Sequence, residues 1–238
     1  MIFAWGAAYA GMSEEPGISE DHVKYYNQAR LYLGDVIDIF PPQIDLVSCL
    51  FLVSLYLLMT HKPYRYVFPI EQVLIISCAN MLGIAIRMAQ TIGLHAAYKN
   101  GDLTEQEEER RRRLWYCLFI LDRLVALQLG GAVMIRDSDF SVELPSIPLD
   151  VSSDNSELMY LRHMVGLSKV IGHVIDNLYR PDQAVIQLEH LLETIQYLDA
   201  ELLDWRDKLP FQLRFDQSHS FEPNPLFKRQ VLLVKVSI

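Results

Sequence analysis

The chain has 238 residues, of which 51% are hydrophobic and 21% charged, and its formal net charge is −9. That length fits one large helical domain or a piece of a longer chain, and the apolar content is enough to bury a sizeable core, which excludes a disordered segment. The negative balance argues against autonomous contact with a nucleic-acid backbone, which calls for a net basic patch.

The first residues, MIFAWGAAYAGM, lack the positive start of a signal peptide, and residues 1–18 read as an N-terminal tail. Ser19, followed by Glu20 and Asp21, suits a helix start, and Pro41 and Pro42 stop that helix after Phe40. A second helix is predicted from Gln43 to Thr60. Its apolar run, Leu46 to Met59, is shorter than the roughly 20 residues that span a bilayer and is interrupted by Ser48 and Ser54, so it reads as a core helix with no membrane role. A third helix runs from Pro69 to about Ala97, before the turn at Asn100 and Gly101.

The fourth helix has the clearest start: Thr104 and Glu107 have capping-box spacing. It continues through Trp115 to Leu129, with Leu114, Leu118, Leu121 and Val125 on one face, and Gly130 and Gly131 break it. Ala132 to Asn155 reads as an extended connection. Helices resume over Ser156–Tyr179 and Asp182–Lys208, the latter with a broad apolar stripe that includes Leu188, Leu192, Ile195 and Leu202. After Pro210 another helix is predicted from about Pro225 to the last residue, Ile238. No strand-like alternation of useful length occurs. The expected class is all-α, a multi-helix array of antiparallel helix pairs with no significant sheet.

Cys49, Cys78 and Cys117 lie far apart inside apolar runs, which reads as buried, reduced thiols and not as a zinc site. In EQEEERRRR, Glu107, Glu108 and Glu109 each precede an arginine by four residues, the order that supports a helix. Four consecutive arginines sweep about three-quarters of a helical wheel, so at least one is expected to face a neighbouring helix. A buried guanidinium needs a partner. Asp122, in an apolar segment, is the candidate, in a network with Arg87 and either Arg112 or Arg113. The three glutamates argue against reading the arginines as a nuclear-localisation or nucleic-acid patch.

His95 is expected to bond terminal carbonyls at its helix end. Asp137 and Asp139 read as solvated loop residues. His163 and His173 lack the spacing of a metalloprotease motif, and no phosphate loop, nucleophile elbow or dinucleotide glycine pattern is present. The residues therefore point to no catalytic group and no enzyme.

AIRMAQTIGLH (85–95), EEERRRRLWYCLFILDR (107–123) and LGGAVMIRDSDFSVELP (129–145) follow one another in order. This series resembles the fungal-specific transcription factor domain, the middle homology region of zinc-cluster regulators. The matching positions are Arg87, Gly93, His95, Glu109, Arg112, Arg113, Trp115, Asp122, Arg123, Asp137 and Pro145. Tyr116 stands for the family's second tryptophan, and Gly131 and Ala132 replace an Arg-Pro corner. The resemblance covers about residues 19–210, and residues 211–238 then read as the truncated start of a further helical region.

The resemblance implies a nuclear, non-catalytic regulatory domain whose family binds DNA through an N-terminal six-cysteine, two-zinc cluster. This sequence contains no such cluster, so neither zinc nor any other cofactor is expected in it. The implied partners are other segments of a full-length regulator or the transcription machinery, a second copy in a homodimer, and a small-molecule effector. The alternative reading is an effector receptor or protein-interaction module without DNA binding of its own.

Overall fold

A computed structural model describes residues 1–11, 21–39, 41–59, 68–97, 103–146, 156–179 and 188–214. Among them are seven α-helices and no strand: α1 (Ile2–Gly11), α2 (Asp21–Ile39), α3 (Ile44–Met59), α4 (Phe68–Thr91), α5 (Glu105–Leu129), α6 (Ser156–Leu178) and α7 (Leu188–Asp207). The all-α class and the packed helix pairs expected from sequence are therefore present, but the expectation that the pairs are antiparallel fails for α5 and α6, which run in the same direction. The predicted helix after Pro225 lies outside the described residues, and residues 2–11, read above as tail, form α1.

The chain divides into two compact units, Met1–Leu94 and His95–Ile238. In the first, α1 packs on α2 and α3 on α4. Tyr56 centres the smaller core: it stacks on Tyr26 at 4.7 Å, meets Trp5 edge-on, and its hydroxyl lies 2.6 Å from His22 Nδ1. Trp5 fixes α1 by donating its indole N–H to Leu52 O at 3.0 Å. Between α3 and α4 the contact is apolar and close. Leu50, Cys78, Leu82, Ala85 and Ala89 have no exposed surface, and the polar Ser54 is absorbed by its own helix, its hydroxyl donating to Leu50 O. Val73–Thr91 has the length and hydropathy of a bilayer span, but a helix buried against a neighbour needs the same composition.

In the second unit α5 packs on α6 and α6 on α7. Trp205, Leu209 and Leu213 from α7 and the turn after it join Met164, Leu167, Ile171 and Ile175 of α6 in one core. The α6–α7 pair is antiparallel: Trp205 donates to His163 O at 2.9 Å, and, farther along α6, His173 Nδ1 bonds the Glu201 carboxylate at 2.9 Å. Gly166 makes room for this crossing, because a Cβ there would sit 3.0 Å from the Trp205 ring. Between α5 and α6 the chain first travels back along α5. Ser146 reaches Glu109 in the first turns of α5, and Arg162 donates to Pro145 O at 2.9 Å. Arg123, late in α5, meets Gly172, late in α6, so these two helices run in the same direction.

Candidate functional site: the strap along the fifth helix

Helix α5 starts and stops where its sequence says it should. The Thr104 hydroxyl accepts the Glu107 N–H at 3.3 Å, and Gly130 ends the helix in the left-handed region at φ 62°, where a side chain would be strained. The reciprocal half of the capping box is replaced, since the Glu107 carboxylate turns to Arg111 and Arg110. Glu108–Arg112 and Glu109–Arg113 complete the predicted i,i+4 pairs, at 3.3 and 2.8 Å.

The expected buried arginine is not in this run. Arg110 and Arg113 are about half exposed, and Arg111 and Arg112 keep 24% and 21% of their side-chain surface. The buried guanidinium belongs to Arg123, with 2% exposure. Asp122 is buried as predicted, but its partner is Arg123 and neither Arg112 nor Arg113, because those two lie near the acidic start of α5 and are occupied by its glutamates. Arg87 is exposed on α4, within the first unit.

Residues 131–146 form a strap fastened to α5 along its length. At one end Asp122 accepts the backbone N–H groups of Met134 and Ile135 at 3.0–3.1 Å and an Arg123 N–H at 3.1 Å. Arg123 in turn donates to Ile135 O at 2.6 Å and to Asp137 Oδ1 at 2.8 Å, while its guanidinium lies over the Phe119 ring. A charge so buried is tolerated only when surrounded by such partners. Burial pushes the Asp122 carboxyl up, and the two amides and Arg123 pull it back.

In the middle of the strap, Phe140 sits edge-on among Trp115, Tyr116 and Phe119 at 5.5–5.9 Å, and the Tyr116 hydroxyl donates to Val142 O at 2.9 Å. At the far end Glu109 takes both the N–H and the hydroxyl of Ser146, with Pro145 buried beside it. His95, the first residue of the second unit, joins the same assembly. Gly93 adopts φ 75°, His95 O accepts the Ser141 N–H at 3.0 Å, and the His95 ring lies against Trp115. The imidazole does not cap α4 as expected: its Nδ1 is buried and has no hydrogen-bond partner among the described residues. Asp139 caps the short 3-10 turn by accepting the Arg136 N–H, and Asp137 serves Arg123, so neither is merely a solvated loop residue.

Of the residues singled out from sequence, Glu109, Trp115, Asp122, Arg123, Asp137, Pro145 and His95 thus meet in one assembly, while Gly93, like Arg87, belongs to the first unit. Phe140, Gly172 and the Tyr116 hydroxyl were missed. Gly172 matters because a Cβ there would fall 2.8 Å from Arg123 Nε. Where the strap leaves α5, a cleft of about 740 Å³ opens between it and the end of α6, lined by Arg123, Val133, Arg136, Asp137, His173 and Tyr179 among others.

The three cysteines are free thiols, and burial pushes those of Cys78 and Cys117 up to about 12 and about 11. Among the described residues no three His, Cys, Asp or Glu side chains group to hold an ion.

The described residues thus form an array of helices in which charges of α5 hold a long strap. Residues 1–207 match the fungal specific transcription factor domain, and the chain belongs to that family. It is 27% identical to a transcriptional regulatory protein of Schizosaccharomyces pombe, over 98% of this chain and 28% of that protein. It is 30% identical to an ABC-transporter-regulating transcription factor of Aspergillus fumigatus, over 64% of this chain and 18% of the relative. A third relative, the Activator of stress genes 1 of Saccharomyces cerevisiae, is 30% identical over 58% of this chain and 15% of its own length. The chain thus spans less than a third of each of these relatives. No solved structure matches it.

Proposed function

We propose that this chain acts as the regulatory, non-catalytic domain of a nuclear transcription factor whose DNA contacts are made by a zinc cluster outside these residues. The carrying observation is the strap. The residues that mark the family spend their charges on one another and on backbone groups: Asp122 on two amides and Arg123, Asp137 on Arg123, Glu109 on Ser146. Carboxylates so engaged hold structure in place and are poorly placed to act as acid, base or metal ligand. The net charge of −9 supports a role through protein contacts and not through nucleic acid. The names of the relatives, all regulators of transcription, support the same reading.

The test is a reporter driven by the full-length regulator, with residues 1–238 intact, deleted, or carrying Asp122→Ala. Altered basal or induced transcription on deletion is the expected result. Identical transcription in all three, under every inducing condition, refutes a regulatory role.

A second reading, an effector receptor, is favoured by the cleft beside Arg123, whose volume suits a small molecule. A compound held there raises the melting temperature of the chain at saturation, and substitution of the cleft residue Tyr179 by alanine abolishes that rise. A rise that survives Tyr179→Ala places the ligand elsewhere.

A further inference from the structure

Helix α7 presents two apolar faces, and the described residues cover one. Leu198 and Trp205 are buried against α6 and the core around it. About a third of a turn away, Leu192, Ile195 and Leu203 form a stripe at helical spacing that stays exposed, Leu192 by 51% and Ile195 by 44%. Asp199 lies within this stripe and Glu189 on its outward side, both exposed. The helix is acidic throughout: six Asp and Glu side chains stand against one arginine.

We propose that this stripe is the docking surface for residues 225–238 of the same chain, whose sequence is PLFKRQVLLVKVSI. Three observations select that occupant. Its composition is complementary, with Lys228, Arg229 and Lys235, no acid, and Phe227, Val231, Val234 and Ile238 at helical spacing. Its starting point is right, because Arg214 is held at the C-terminal end of α7, donating to Asp207 O at 3.3 Å and to Leu209 O at 3.2 Å. Its length is right too. Leu192 to Leu203 spans about 16 Å of helix and fourteen residues reach about 21 Å, while residues 215–224 bridge up to about 33 Å. A second copy of α7 would instead set acid against acid.

The experiment is limited trypsin digestion of the 238-residue chain, following cleavage after Lys228, Arg229 and Lys235 by mass spectrometry. Docking protects these bonds in the parent chain, and Ile195→Glu or Asp199→Asn speeds their cleavage, the former by about tenfold or more, since cleavage follows the open population. Asp199→Asn removes only an exposed charge and adds no trypsin site, so it guards against simple unfolding. Tyr197→Glu, exposed on the opposite side of α7, leaves the rate unchanged. Equal rates in all four chains overturn the proposal. Protection that disappears on dilution also overturns it, because the occupant is then a second molecule.

Discussion

The α3–α4 pair and the α5 strap solve the same problem, burying a long segment, by opposite means. Between α3 and α4 the contact is made by residues such as Leu50, Leu82, Ala85 and Ala89, and the fully buried Ser54 bonds within its own helix. Many sequences of similar volume would serve there, since apolar burial is non-directional. Apart from one short 3-10 turn the strap has no helix to satisfy its backbone, so side chains of α5 supply hydrogen bonds: Asp122 and Arg123 at one end, Tyr116 in the middle and Glu109 at the other. Directional bonds demand particular residues at particular spacing. The strap therefore depends on named residues of α5, while α3–α4 reads only as hydrophobic.

That contrast can be broken most forcefully at Asp122. Asp122→Ala leaves the amides of Met134 and Ile135 without their acceptor and Arg123 without one of its two carboxylates. A loss of about 3–5 kcal/mol is expected in urea unfolding; a loss no greater than that of an apolar truncation in α3 would erase the distinction. Gly172→Ala comes next. Its Cβ would press on Arg123 Nε from α6 at 2.8 Å, and overpacking of this kind costs about 1–3 kcal/mol, whereas Gly34→Ala, with nothing within 4 Å, should not destabilise α2. Glu108→Ala removes only a partly exposed pair with Arg112 and should cost at most about 0.5 kcal/mol. Equal melting temperatures for the Asp122 and Glu108 variants would place both charges in the same environment.

The smallest effect is a pH dependence. Burial, helped by Arg162, holds His163 below its ordinary 6.5. On acidification the unfolded chain therefore takes up this proton first, so stability is full above about pH 6.5 and declines as pH falls towards the lowered folded value. His163→Gln should flatten that decline in thermal melts between about pH 7.5 and 5, without disturbing the backbone carbonyl that Trp205 uses.

Much of this was legible in the chain itself. Some helix limits were set by local chemistry, by Thr104 before α5, Gly130 after it, and the prolines after α2, whereas α1 was read as tail and α4 ends at Thr91, six residues before the expected Ala97. The Glu–Arg pairs of α5 were legible for the same reason, as both partners share one helix. What failed was assignment across the chain. Asp122 was recognised as buried, but the wrong arginines were given to it, because only the return of the strap brings Ile135 and Asp137 to Arg123. Phe140 and Gly172 carry no local signal at all: one is an aromatic in a loop, the other a glycine in a helix, and each acquires meaning from a ring or guanidinium brought from a distant part of the chain.

Sequence by itself therefore determined the helical class, the ends of α5 and the family, since caps, breakers, periodicity and ordered motifs act over a few residues. Only the tertiary structure decided which charges pair, that α5 and α6 run in the same direction, and where a cleft and an uncovered face are left. Those depend on a chain reversal whose bonds join residues far apart, and no local pattern records which partners will meet.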